Sequence, residues 1–97
     1  MPLSEAKHMT PVMSCEYSIS QVGDEYVFMP LSVETQSKVG IMNETGAFIM
    51  KRINGTNSID EIVNDLVSEY DTDYDNALND VLSVVSDLIA MNICRLI

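Results

Sequence analysis

The order of apolar and polar residues in the first half of the chain predicts a small sheet. Apolar and polar residues alternate through residues 14–21, and this period of two is typical of a half-buried strand. A second apolar run, residues 25–29, ends at Pro30, and Gly23 and Asp24 between the two runs suit a tight hairpin turn. A further short apolar run follows a polar connection. We therefore predict strands at residues 15–21, 25–29 and 38–42.

Start and stop signals for helices follow in the second half. Asn43 is a residue that caps a helix, and Asn54 with Gly55 is suited to ending it. Ser58 and Glu61 have the spacing of a capping box, in which each side chain accepts a backbone hydrogen bond from the other residue. Together with apolar residues at helical spacing, these signals predict helices at residues 44–54, 58–70 and 73–91.

The third predicted helix has an unusually broad apolar face. Its apolar residues fill an arc of about 160°, whereas a stripe that packs on a core needs only somewhat more than 100°. Either one flank of this arc packs inward while the other faces a partner, or the domain buries the helix on two sides. Both interpretations stay open at this point.

The predicted elements fall into one domain with a short extension. Residues 1–13 contain two prolines and no apolar period, so we expect a flexible tail there. Residues 14–97 are expected to form one α+β domain, with a three-stranded antiparallel sheet followed by three helices.

The charge of the chain argues against a nucleic-acid-binding protein. The formal net charge is -10, and no lysine or arginine occurs between Arg52 and Arg95, which is the stretch that holds the second and third helices. A surface that binds nucleic acid must neutralise phosphates, so we expect no affinity for duplex DNA.

Few residues are suited to catalysis or to metal binding. Cys15 and Cys94 lie near opposite ends of the sequence, and His8 is the single histidine. A disulfide would require an oxidising compartment, and we find neither a signal peptide nor an apolar run long enough to span a bilayer. The expectations are a cytoplasmic protein that is not an enzyme and has no metal or cofactor. A carboxylate-based enzyme is not excluded, although no pair of acidic residues stands out.

Three motifs resemble one family of peptide-binding domains. Residues 42–50 (MNETGAFIM), residues 53–55 (ING) and residues 58–62 (SIDEI) are similar in order and spacing to the PqqD-like family, also called RiPP recognition elements. The resemblance extends over residues 17–97. Two positions depart from the family pattern: Met50 stands where a tryptophan is frequent, and Arg52 stands where an apolar residue is common.

The resemblance implies a winged-helix-like domain that binds the leader segment of a ribosomally made precursor peptide. Such a domain is not catalytic and presents the leader to a modifying enzyme, often a radical S-adenosylmethionine (SAM) enzyme. In the family, the leader forms an extra strand beside the third strand and lies against the third helix. Carried over to this sequence, the peptide-binding residues are Lys38, Val39, Gly40, Ile41, Met42, Leu78, Val81, Leu82 and Val85.

The physical properties of an edge strand agree with this role. Such a strand offers backbone groups to a peptide, and nearby apolar pockets select its side chains. Lys38, Lys51 and Arg52 lie close in sequence to the edge, where they either meet an acidic leader or balance the domain's own carboxylates. The same edge makes a homodimer a further prediction. The alternatives are a winged-helix transcriptional regulator and a protein–protein adaptor.

Overall fold

The computed structural model describes residues 7–31 and 40–97 of the chain. Three helices follow a three-stranded antiparallel sheet, as the sequence predicts. The elements in chain order are β1 (Pro11–Met13), β2 (Tyr17–Val22), β3 (Glu25–Pro30), β4 (Gly40–Met42), α1 (Glu44–Lys51), α2 (Ile59–Tyr70), α3 (Tyr74–Ala90) and β5 (Cys94–Leu96). Within the described ranges, no helix is both long enough and apolar enough to cross a membrane.

The central sheet has the strand order β2-β3-β4. A two-residue turn joins β2 to β3, and Val22 pairs with Glu25 across it. Gly23 has φ of +63°, which glycine adopts without a steric penalty, and Asp24 does not have positive φ. A glycine with positive φ at the first turn position is typical of a type II′ hairpin. The predicted hairpin is therefore confirmed.

Side-chain caps define the starts of the helices. The Asn43 side chain accepts a 2.8 Å hydrogen bond from the Gly46 N–H at the start of α1. At the start of α2, the Glu61 N–H donates to the Ser58 hydroxyl (3.2 Å), and the Ser58 N–H donates to the Glu61 carboxylate (2.9 Å). Asp73 caps α3 by accepting a bond from the Asn76 N–H. The predicted capping box is confirmed.

The first helix ends three residues earlier than the sequence predicts. Its last turn tightens, because the N–H groups of Arg52 and Ile53 donate to carbonyls only three residues earlier. The Asn54 side chain then accepts bonds from the N–H groups of Thr56 and Asn57, which starts the loop to α2. Asn54 therefore belongs to the turn that follows the helix and is not part of the helix.

The hydrophobic core lies between the three helices and one face of the sheet. Phe28 of β3 is 1% exposed and contributes the largest fully buried side chain. It belongs to one core cluster with apolar residues from every helix and from the segment after α3. Among the described residues, no charged or polar side chain is buried.

A second sheet, which the sequence analysis did not predict, pairs β1 with β5. Pro11 lies opposite Leu96 and Met13 lies opposite Cys94. The prediction of a flexible tail over residues 1–13 is therefore wrong for Pro11–Met13, while residues 1–6 lie outside the described residues. A three-residue strand shows no apolar period, and its partner is more than 80 residues away in the chain, so local patterns could not reveal it.

The segment before β1 also lies against the helices. The Ile59 N–H donates to the Met9 carbonyl (2.9 Å), and the Asp60 N–H donates to the Lys7 carbonyl (2.7 Å). Both donors belong to the first turn of α2, where N–H groups have no partner inside the helix. The N-terminal segment therefore satisfies backbone groups that α2 leaves open.

Candidate functional site

Strand β4 forms one edge of the central sheet. Among the strands that the structure describes, none lies beyond it, because the order ends with β3 next to β4. Three of the predicted peptide-binding residues, Gly40, Ile41 and Met42, form this strand. The other two predicted strand residues, Lys38 and Val39, lie outside the described residues.

The hairpin geometry determines which backbone groups face the open edge. In a two-residue hairpin the closing pair, Val22 and Glu25, is hydrogen-bonded, and hydrogen-bonded and non-hydrogen-bonded pairs alternate along an antiparallel ladder. The backbone N–H and C=O of successive residues point to opposite edges of a strand. Counting from Glu25, the pair of Val27 with Ile41 is the non-hydrogen-bonded pair between β3 and β4. The N–H and C=O of Ile41 therefore point away from the sheet.

The neighbouring residues of β4 point their backbone groups into the sheet. Gly40 pairs with Phe28 and Met42 pairs with Tyr26, and these are the hydrogen-bonded pairs by the same count. A Cβ atom at Gly40 would lie 3.8 Å from the Phe28 ring, so this position faces the core side of the sheet at ordinary contact distance. The Ile41 side chain faces the opposite side and is 70% exposed.

A groove runs between this edge and α3. One part has a volume of about 140 Å³ and is lined by Phe28, Gly40, Ile41, Met42, Val84, Asp87, Leu88 and Met91. A second part of about 190 Å³ lies beside the start of α1 and is lined by Asn43, Thr45, Gly46, Ile49, Asp80, Ser83 and Val84. Val84 lines both parts. We refer to the two parts together as the β4–α3 groove.

One row of α3 residues forms the helical wall of the groove. Asp80, Val84, Asp87 and Met91 all line it, and Met91 is the C-cap residue of the helix. Their spacing of four, three and four residues places them along a single face of a helix. We refer to these four residues as the groove row.

None of the four predicted α3 residues lines this groove. Val81 and Val85 are 0% exposed and belong to the hydrophobic core. Leu78 and Leu82 are half-buried and pack against the core. At 100° per residue, they lie about 120° and 160° around the helix from Val84, on its opposite flank. The centre and one flank of the broad apolar arc therefore pack against the core, and the groove lies beside the other flank.

The basic residues that lie near β4 in sequence have other surroundings. Arg52 forms an ion pair with Asp65 (Nε to Oδ2, 3.4 Å), and its guanidinium carbon lies 3.6 Å from the centroid of the Phe48 ring. Lys51 is exposed and lines a separate depression between α1 and the end of α2. Neither residue lines the β4–α3 groove, and Lys38 lies outside the described residues.

The described groups with shifted pKa values, Tyr17, Tyr70, Tyr74 and Cys94, do not line the β4–α3 groove. Burial raises the pKa of the Cys94 thiol, which keeps it protonated and weakly nucleophilic at neutral pH. Partial burial, with smaller effects from Glu44 and Glu69, raises the pKa of Tyr70, so this phenol also stays neutral. In residues 7–31 and 40–97, no three His, Cys, Asp or Glu side chains cluster closely enough to hold a metal ion. Both cysteines are free thiols.

The comparison with protein families identifies the domain. The family model described as Coenzyme PQQ synthesis protein D (PqqD) matches residues 30–93, which include β4, all three helices and every groove-lining residue except Phe28. The chain belongs to the PqqD family. PqqD proteins are non-catalytic, peptide-binding accessory proteins of PQQ synthesis. No significant match was found among curated proteins or among solved structures.

Membership of the PqqD family confirms the resemblance that the sequence motifs indicate. The matched range begins at Pro30, the last residue of β3, and ends at Ile93, just before β5. It therefore leaves out β1, β2, β5 and all of β3 except Pro30.

Proposed function

We propose that this PqqD-family chain binds the leader segment of a ribosomally synthesised precursor peptide and delivers it to a modifying enzyme of the radical SAM type. The chain itself catalyses no reaction in this proposal. The leader adds as a strand beside β4 and places its side chains in the β4–α3 groove. The observation that carries the proposal is the backbone of Ile41, which points out of the sheet beside an apolar groove.

Backbone pairing at this edge supplies orientation more than affinity. Within the described part of β4, only Ile41 points its N–H and C=O outward, which provides one donor and one acceptor. A hydrogen bond of this kind contributes about 0.5–1.5 kcal/mol net. Two such bonds set the register of a peptide, but they are a small part of the free energy that stable binding needs.

Apolar side chains of the leader therefore supply the larger contribution. Phe28, Met42, Val84 and Leu88 line the part of the groove next to β4, and its surface is mostly apolar. Burying one aliphatic side chain fully contributes about 1.5–3 kcal/mol. Two leader side chains in the groove thus outweigh the two backbone bonds.

The size of the groove limits the segment of the leader that is recognised. From Asp80 to Met91 the groove row covers eleven residue-to-residue steps along the helix, or about 16 Å at 1.5 Å per step. An extended peptide covers this length with about five residues. Alternate residues of such a segment face the groove.

The alternative function, a winged-helix transcriptional regulator, is not supported by the charge of α3. Helix α3, the counterpart of a recognition helix, contains Asp75, Asp80 and Asp87 and no lysine or arginine. Phosphate groups would be repelled rather than bound by this surface.

The experiment that tests the proposal uses amide chemical-shift mapping. The ligand is a synthetic leader encoded by a short reading frame beside the gene for this chain. We expect the largest shifts at Gly40–Met42 and at the groove row. Shifts confined to the β2–β3 hairpin or to α2, with Ile41 unaffected, would contradict the proposed site. Delivery is tested by asking whether the neighbouring modifying enzyme acts on its precursor faster when the chain is added.

A further inference from the structure

We infer that the peptide recognised in the β4–α3 groove carries lysine or arginine side chains on the face it turns toward α3, and that Asp80 and Asp87 select them. This inference rests on the proposed function, because it concerns the chemistry of the ligand at the same site. A basic peptide is the opposite of the acidic leader, which was one of the two partners considered for Lys38, Lys51 and Arg52 from their positions in the sequence.

Asp80 and Asp87 are solvent-exposed residues that line the groove. Asp80 and Asp87 alternate with Val84 and Met91 along the groove row. Each carboxylate is therefore next to an apolar contact surface for the peptide. A peptide side chain that packs on Val84 places its neighbours within reach of one or both carboxylates.

The carboxylates of Asp80 and Asp87 have no counterion among the described residues. The ion pair found in those residues joins Arg52 to Asp65, away from the groove. Described lysine and arginine side chains are absent from the groove lining. The side chains of these two residues also make no hydrogen bond to another described residue, unlike Asp73 at the start of the same helix.

Binding of a peptide changes the surroundings of these two carboxylates. A strand laid beside β4 removes water from the groove, and a charge that loses water is destabilised unless an opposite charge replaces it. A lysine or arginine on the peptide meets this need, and its aliphatic stem packs on the apolar part of the groove. A glutamate or aspartate would add repulsion, and the net charge of -10 would slow the approach of an acidic peptide.

The distance between the two carboxylates suggests a spacing for the basic residues. Asp80 and Asp87 are seven residues apart on α3, a rise of about 10.5 Å. Residues on one face of an extended peptide repeat about every 6.6 Å. Basic residues two or four positions apart therefore bracket this distance, and their flexible side chains reach the carboxylates from either spacing.

The test uses three synthetic peptides of about ten residues, which cover the roughly five-residue length of the groove and extend beyond it at both ends. All share an alternating Val/Thr frame and differ only at two positions four residues apart, which are both Lys, both Gln or both Glu. Binding to the full chain is measured by titration while the amides of Gly40–Met42 are followed. We expect the Lys peptide to bind at least about tenfold more tightly than the Glu peptide at low salt, with the Gln peptide between them.

Two protein variants show whether the preference comes from the groove. In D80N/D87N the difference between the Lys and Glu peptides should disappear. The matched control E69Q/D71N removes the same amount of charge from the exposed end of α2, and it should keep the preference. Raising NaCl from about 0.05 M to about 0.5 M should weaken the preference in the wild type.

Each result has one interpretation. Equal binding of the Lys and Glu peptides, or a preference that persists in D80N/D87N, overturns the inference and leaves the proposed function standing. If none of the three peptides shifts the amides of Gly40–Met42, two basic residues on an apolar frame do not suffice for recognition and the inference is overturned, while the proposed function is judged separately with the encoded leader.

Discussion

The Tyr17 hydroxyl donates a 3.0 Å hydrogen bond to the carbonyl oxygen of Met50, which connects β2 to the last turn of α1. The Ile53 N–H donates to the same oxygen at 3.1 Å. Met50 is fully buried, and the Tyr17 ring packs at a tilt against Phe28, with 5.4 Å between the ring centroids. One tyrosine thus joins the sheet, the first helix and the core.

We expect Tyr17→Phe to lower the free energy of unfolding by about 1 kcal/mol at neutral pH, because one hydrogen bond to a buried carbonyl is lost. Burial raises the pKa of Tyr17 above its ordinary value of 10.0. The unfolded chain therefore loses this proton first as pH rises, and stability falls through the folded-state pKa. The advantage of the wild type over the variant should shrink above about pH 10 in urea unfolding experiments. An advantage that stays constant up to about pH 11 would contradict this assignment.

Backbone substitutions in β4 should separate binding from folding. Ile41→Pro removes an N–H that points out of the sheet, so the fold should survive while peptide affinity falls. Ile41→Thr keeps the N–H and should bind nearly as well as the wild type. Gly40→Pro removes a donor that faces β3 and should destabilise the domain instead. Circular dichroism and peptide titration measure the two effects. If Ile41→Pro and Ile41→Thr bind the peptide with equal affinity, the backbone N–H of Ile41 takes no part in peptide binding.

Substitutions on α3 should distinguish the groove from the core. Val84→Asp removes an apolar contact from the groove row and adds a carboxylate that a bound peptide must desolvate, so the affinity for the uncharged Gln peptide should fall by at least about tenfold. Val81→Asp places a carboxylate at a fully buried position, which costs several kcal/mol and should unfold the domain. Leu82→Asp, on the opposite flank, is the control for Val84→Asp. If a folded Leu82→Asp variant loses peptide binding while Val84→Asp keeps it, the peptide binds on the other side of α3.

Removal of residues 1–13 should destabilise the domain. The truncated chain loses the β1–β5 pairing and the carbonyl groups that accept bonds from the start of α2. Several backbone bonds at about 0.5–1.5 kcal/mol each, partly offset by the entropy of ordering, give a loss of about 2 kcal/mol. For a domain of this size that lowers the melting temperature by roughly 10 °C. A chain shortened only by residues 1–6 keeps the pairing and serves as the control. An unchanged melting temperature after removal of residues 1–13 would show that β1 contributes little.

Local signals explain which parts of the fold were predictable. The caps at Asn43 and Ser58 act within three residues, so the starts of the first two helices could be predicted from local sequence. The β2–β3 hairpin is equally local. The pairing of Pro11 with Leu96 depends on residues at opposite ends of the domain and leaves no local pattern.

The candidate site was predictable on the strand side and not on the helix side. The position of β4 before the Asn43 cap marked it as a short strand. On α3, an apolar stripe identifies what the domain itself buries, and Val81 and Val85 are buried accordingly. The groove row alternates Asp80 and Asp87 with apolar residues, so it has no periodic apolar signature. Only the packing of α3 against β4 and α1 reveals it.

The β1–β5 sheet has a consequence for how the molecule folds. Thr10 and Ile97 exchange two backbone hydrogen bonds, each 2.9 Å long, so the sheet closes a loop that contains nearly the whole domain. Closing such a loop costs more entropy than forming a hairpin, and it follows the local structure that brings its ends together. On the ribosome, β1 is made first and has to remain unpaired until β5 has been synthesised. The helices and the central sheet can therefore assemble before the two-stranded sheet closes.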